Sequence, residues 1–226
     1  MPEEEPAMRT RRAARILVDQ LKVHGADTVF CVPGESYLAV LDALYDTNSI
    51  RLVTCRQEGG AAMMADAYGK LMGRPGLCMV TRGPGASNAA SGLHVAMQDS
   101  TPLILFIGQV ARDTVEREAF QEIDYRRMFG QCAKWVAQID DAHRIPEFLS
   151  RAFHTTMSGR PGPVVLALPE DMLSDEATVA DALPAAPAET WPGAPVIAAF
   201  RDMLVAAKRL DASSLPPGKI QRFAPR

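Results

Sequence analysis

The run Leu77-Cys78-Met79-Val80-Thr81-Arg82-Gly83-Pro84-Gly85-Ala86-Ser87-Asn88 decides how this chain reads. Its first five residues are mostly apolar and predict a strand. Arg82-Gly83-Pro84-Gly85 then predicts a tight, side-chain-poor loop, and Ala86 to Met97 a helix of small residues. A strand, a short turn and a helix make the first part of a βαβ unit, which needs a parallel partner strand next. Leu103 to Gly108 supplies it, apolar throughout as expected when helices cover both faces of a strand.

Upstream the same alternation repeats. Arg11 to His24 carries Ala14, Leu17, Val18 and Leu21 at helical spacing, with Gly25 as a stop. Thr28 to Val32 is a short strand, turned by Pro33-Gly34, and Ser36 can cap a helix carrying Tyr37, Val40, Leu41, Leu44 and Tyr45. Ile50 to Cys55 reads as a strand and Gly59 to Met72 as an alanine-rich helix. Downstream, Lys134 to Ile139 and Val164 to Leu168 are strands around a helix marked by Phe148, Leu149, Ala152 and Phe153. The expected fold is therefore α/β: a parallel six-stranded sheet with helices on both faces. Ligands of such sheets sit outside the carboxyl ends of the strands. That rule selects four loops, Pro33 to Ser36, Gln57 to Gly60, Arg82 to Gly85 and Gln109 to Arg112.

Composition removes several function classes. A net charge of -3 gives no electrostatic case for nucleic acid. The basic cluster Arg9, Arg11, Arg12 and Arg15 follows three glutamates and reads as a solvated helix start. Cys31, Cys55, Cys78 and Cys132 form no C-x-x-C pair, so no zinc site or disulfide framework is expected, and a reducing cytoplasm is the natural setting. The acidic, proline-bearing start is unlike a secretory signal, and no apolar run approaches the roughly 18 residues of a membrane helix. His24, His94, His143 and His154 are scattered and read as helix-surface or helix-end residues. Met63 and Met64 are expected in the core.

Glu58 is the first chemical candidate. It stands where a strand ends and a helix begins, so a favourable placement by the helix dipole is the plain reading. The glycines at 59 and 60 let another molecule approach the backbone, and such a carboxylate suits proton sharing with a ligand nitrogen. Gly83-Pro84-Gly85 is either a structural turn or a ligand contact, and Asn88 either a helix-start cap or a hydrogen-bonder across the cleft. No G-x-G-x-x-G follows the first strand and no Gly-Lys-Ser/Thr occurs, which disfavours dinucleotide and P-loop sites.

Taken in series, these loops resemble the N-terminal domain of acetolactate synthase-like thiamine-diphosphate enzymes. The resemblance runs from about Arg11 to Leu173. It rests on Val29-Phe-Cys-Val-Pro33-Gly34, Arg56-Gln-Glu58-Gly-Gly-Ala-Ala, Ala65-Asp-Ala-Tyr-Gly69 and Val80-Thr-Arg-Gly-Pro-Gly-Ala-Ser-Asn88. Phe106-Ile-Gly-Gln109-Val, Ala119-Phe-Gln121-Glu and Gly159-Arg-Pro-Gly-Pro163 continue it. It implies that Glu58 hydrogen-bonds N1′ of the cofactor's aminopyrimidine and so promotes proton removal from the thiazolium, which attacks a 2-keto acid. It implies that Pro33, Gly34, Pro84, Asn88 and Gln121 line the cofactor, and that Glu35, Phe120 and Gln121 face the substrate.

Four positions depart from the acetolactate synthase pattern. Glu35 stands in place of a glycine, Gln57 of a histidine, Gly59 of a glutamine, and Arg82 of a small residue. A decarboxylase or another carboligase of the same superfamily fits nearly as well, and Glu35 is either a second proton-transfer group or a solvated carboxylate.

The resemblance also places magnesium and diphosphate ligands, in Gly-Asp-Gly and Asn-Asn motifs, on a second domain; neither motif occurs here. Some relatives bind FAD in a middle domain. The expected organisation is a disordered start (1–10), the pyrimidine-binding domain (11–175), an alanine- and proline-rich linker (176–195), and the start of a middle domain with a disordered tail (196–226). A helix is expected over Val196 to Lys208. The loss of pattern after Arg209 reads as a frameshift or truncation. Three roles remain open: an inactive piece of a full enzyme, a subunit pairing with a diphosphate-binding subunit, or a non-catalytic scaffold. A homodimer or higher oligomer is expected, because the pyrimidine face of this family sits in an interface.

Overall fold

In the computed structural model, residues 8–186 and 192–206 are described. They fall into two units, Met1–Ala188 and Glu189–Arg226. In the first, β1 (Arg9–Arg12) leads into α1 (Ala13–Val23), β2 (Thr28–Cys31), α2 (Leu38–Tyr45), β3 (Arg51–Thr54) and α3 (Glu58–Met72). Then come β4 (Gly76–Val80), α4 (Gly83–Asp99), β5 (Leu103–Gln109), α5 (Tyr125–Phe129), β6 (Trp135–Gln138), α6 (Ile145–Met157), β7 (Pro163–Pro169) and β8 (Glu176–Val179). The second unit carries α7 (Ala194–Ala206).

Among the described residues, six strands form the predicted parallel sheet in the order β3-β2-β4-β5-β7-β6. Side-chain alternation splits β5 between two cores. Ile104 and Phe106 join one cluster with α1, α2 and α6, while Leu103, Leu105 and Ile107 join the other with α3, α4 and α5. The order reverses at β2, whose neighbours are β3 and β4. A crevice opens at such a switch point, outside the carboxyl ends of the two strands. Here those ends are the loops holding Pro33-Gly34-Glu35 and Arg82-Gly83.

The second core depends on small side chains. Ala61, Ala62 and Ala65 of α3 meet Ala86, Ala89 and Gly92 of α4. A Cβ on Gly92 would lie 2.5 Å from that of Ala62. Only glycine permits this approach, and it draws the N-termini of the two helices together.

Several expectations change. Residues 9–12 are a strand, not a disordered start and a first helical turn, and they pair antiparallel with 176–179, which the sequence assigned to the linker. Gly83-Pro84-Gly85 is the first turn of α4 rather than a loop before it. Proline fits there because the first helical N–H groups have no intrahelical acceptor to lose. Met63 and Met64 are each 40% exposed, since the alanines occupy the inner side of α3. Short α5 has no counterpart in the sequence reading. Helix α7 begins at Ala194, and the expected end at Lys208, like the tail and the linker residues 187–191, lies outside the described residues.

Candidate functional site

Glu58 opens α3 directly after the N-cap Gln57, whose side chain accepts the Gly60 N–H at 2.8 Å. The Asn88 side chain donates to Glu58 Oε2 at 2.9 Å. Asn88 is therefore a ligand of the carboxylate, not a cap, and it fixes one oxygen while leaving Oε1 free of it. Oε1 faces Gly85, where an added Cβ would lie 3.5 Å away. The same Cβ would meet Thr81 Cγ2 at 3.1 Å, so glycine at this position lets the first turn of α4 pack closely on the end of β4 and brings it to the carboxylate.

The remaining residues gather by backbone contacts. Gly34 packs on Thr81, whose Cβ would stand 2.5 Å from any side chain added there, and Ser36 and Thr81 share a 2.9 Å hydroxyl hydrogen bond. The Gly83 N–H donates to the Gln121 carbonyl at 2.9 Å, so the segment after β5 is tied to the first turn of α4. That segment holds Glu116, Glu118 and Gln121 at φ of +63°, +54° and +63°. Left-handed conformations in non-glycine residues persist only where surroundings enforce them. Here Glu122 helps, its carboxylate accepting the Glu116 and Ala119 N–H groups at 2.7 and 3.2 Å. Pro33 and Pro84 are exposed, Phe120 is 73% exposed, and Gln121 is half-buried.

Glu58 is half-buried and lines neither of two clefts at this end of the sheet. One, of about 640 Å³, runs past Glu35, Leu38, Asp42 and Glu170. The other, about 260 Å³, lies at the carboxyl ends of β5, β6 and β7, between Gln109, Glu122, Tyr125 and Gln138. The hydrogen bond between Asn88 and the Glu58 carboxylate is itself exposed, at the surface between two helix starts.

Sequence reasoning singled out Glu35 and Arg82 separately and missed that they form a polar cluster with Glu170. Arg82, the N-cap residue of α4, is buried and donates from Nη1 to Glu35 at 2.9 Å and from Nη2 to Glu170. Burial opposes the guanidinium charge, but the two carboxylates outweigh it and hold Arg82 above its ordinary pKa. Glu170 was findable: it follows the last predicted strand, so the carboxyl-end rule applies to it as well.

The donor set fits an aminopyrimidine: one carboxylate at a helix start, oriented by an amide, beside loops that glycines let pack closely on one another. Among the described residues, no group of three or more His, Cys, Asp or Glu is placed to hold a metal.

Fold and site together define a class, an open parallel α/β domain that presents one helix-start carboxylate among glycine turns at a topological switch point. Residues 11–128 match the family described as thiamine pyrophosphate enzyme, N-terminal TPP binding domain, and the chain belongs to that family. It is 38% identical over 159 residues to the acetolactate synthase isozyme 2 large subunit of Escherichia coli K12. It is 40% identical over 162 residues to the chloroplastic acetolactate synthase of Arabidopsis thaliana, and 35% over 158 to the mitochondrial catalytic subunit of Saccharomyces cerevisiae. These stretches cover 70%, 72% and 70% of this chain but only 29%, 24% and 23% of the relatives, so the chain spans less than a third of their length.

Proposed function

We propose that the chain binds the aminopyrimidine of thiamine diphosphate and activates it through Glu58, as the N-terminal part of an acetolactate synthase-like enzyme acting on 2-keto acids. The observation that carries this is the Asn88-to-Glu58 hydrogen bond of 2.9 Å, which orients the carboxylate beside Gly85. Asn88 holds Oε2, Glu58 shares a proton at its other oxygen with a ring nitrogen, and the Gly34 and Pro84 backbone flanks the ring. Glu35, Phe120 and Gln121 face the substrate side. Thiamine diphosphate, when bound, supplies the thiazolium that accepts the electron pair released in decarboxylation.

The open setting of Glu58 favours a site completed by a second surface. We assign that surface to a diphosphate- and magnesium-binding domain, carried by another copy or a partner subunit. The exposed Met63, Met64 and Leu71 of α3 supply an apolar rim for such an assembly. FAD belongs to this proposal only for a complete enzyme. No described helix is long and apolar enough to cross a membrane, and the cytoplasm is the proposed location.

Calorimetric titration of the purified chain with thiamine diphosphate tests the reading. Weak binding is expected, with no turnover of pyruvate. Glu58→Gln should weaken it roughly tenfold, as for loss of a hydrogen bond to a charged group. Unchanged affinity in Glu58→Gln, or pyruvate decarboxylation by the chain alone, defeats the proposal; unchanged affinity would favour a scaffold role.

A further inference from the structure

The four departures from the acetolactate synthase pattern are not independent, because the fold sorts them into two touching pairs. Gln57 folds over Gly59, where a Cβ would lie 2.9 Å from Gln57 Oε1. Arg82 meets Glu35 across 47 positions of sequence. A glycine and a small residue at positions 35 and 82 could not make this contact, and either charge alone would lack its present partner.

The second pair has a third member and a particular place. Arg82 follows β4, Glu35 follows β2, and Glu170 follows β7. In the order β2-β4-β5-β7, the guanidinium therefore spans the carboxyl end of β5. Its side chain is 8% exposed, against 74% for Glu35 and 39% for Glu170. A buried cation thus lies under two carboxylates that reach it from separate loops. The residue after it, Gly83, holds the Gln121 loop. Arginine suits this geometry because its rigid fork reaches two acceptors in fixed directions, which a lysine ammonium on a flexible stem does not.

We infer that Arg82 is a positioning residue. It clamps the loops carrying Pro33-Gly34-Glu35, Gly83-Pro84-Gly85 and Glu170 into one block, holding Glu35 at the edge of the cleft and the glycine turns in register for the aminopyrimidine. The effect on the cofactor rests on the function proposed above; the clamp does not.

The test compares the intact chain with Arg82→Ser, Arg82→Lys, Glu35→Gly and the Glu35→Gly/Arg82→Ser double variant. Amide hydrogen exchange is read by NMR, and each protein is titrated with thiamine diphosphate. The reporter amides are Tyr37, Gly83 and Glu170, bonded to Gly34, Gln121 and Gln109 at 3.4, 2.9 and 3.1 Å. Gly76 and Gly162, at the opposite end of the sheet, are controls.

Arg82→Ser should speed exchange at all three reporters roughly tenfold and leave the controls unchanged, as local opening does. Its affinity for thiamine diphosphate should fall about fivefold, since the supporting shell sets the first shell. The double variant should bind better than Arg82→Ser, because one of the two carboxylates left without the guanidinium is gone. Arg82→Lys should protect one loop and not both. Exchange that rises only at Gly83, or equally at reporters and controls, overturns the clamp, as does full rescue by lysine. If the reporters respond but affinity does not, the positioning role falls. If the unaltered chain binds no thiamine diphosphate, the function proposed above fails, and exchange alone then decides the clamp.

Discussion

The two faces of the sheet are built from different materials. One packs Ile16, Leu17 and Leu21 of α1 and Leu149 and Phe153 of α6 against Ile104, Phe106 and Leu166. The other packs alanines and glycines of α3 and α4 against Leu105 and Ile107. Large side chains bury more apolar area and hold helices apart; small ones let backbones approach. The first face supplies stability, and the second supplies the proximity that sets Asn88 against Glu58. This contrast makes three predictions, which run from the largest effect to the smallest.

Leu17→Ala removes a fully buried side chain from the large-residue face. It should destabilise the chain by about 2–5 kcal/mol while leaving the Asn88–Glu58 pair intact. Urea unfolding measures the first effect and the Asn88 side-chain amide resonances the second. Gly92→Val attacks the other face, where a Cβ already meets Ala62 at 2.5 Å. Overpacking should destabilise by about 1–3 kcal/mol, less than the first change. It should nevertheless separate α3 from α4 and shift the Asn88 resonances. Were the leucine variant to disturb Asn88 and the valine variant to spare it, the division of labour would be wrong.

The third prediction concerns pH. His24 ends α1 on the large-residue face, stacked on Phe153 at 4.5 Å, and its Nδ1 accepts the Ala185 N–H at 3.1 Å. Burial lowers its pKa from 6.5 to about 4, so the ring stays neutral in the folded chain. The unfolded chain takes up the proton first as pH falls. The stabilising contribution is therefore complete above pH 6.5 and is lost progressively down to about pH 4. For a half-exposed ring it amounts to about 1 kcal/mol after solvent screening. Unfolding of His24→Gln and the unaltered chain at pH 7 and pH 4.5 checks it. Their difference should shrink at the lower pH, and a constant difference would contradict it.

Most of the sheet was legible because its signals are local. Leu103 to Gly108 and Val164 to Leu168 are apolar runs that fit only a doubly covered strand, and both are central. The more polar Lys134 to Ile139 became the edge strand β6. Glu58 was legible as a helix-start carboxylate beside glycines. The pairing of residues 9–12 with 176–179 was not, since four arginine- and threonine-rich residues carry no strand period of their own. They become a strand only through a partner far along the chain, an exposed Thr10–Thr178 hydroxyl hydrogen bond among its contacts. Arg82 and Glu35 each stood out as departures, but their pairing and the third member, Glu170, did not, because ion pairs leave no periodicity.

The sequence by itself determined the parallel α/β sheet, the loops at its ligand end and the carboxylate at position 58, because periodicity, glycine turns and helix starts are properties of neighbouring residues. Only the tertiary structure decided that Asn88 orients that carboxylate, that Gly92 lets it do so, and that Arg82 joins loops after three different strands. Those facts depend on distances between residues 30 to 88 positions apart, which the order of the strands and the closeness of the helices set.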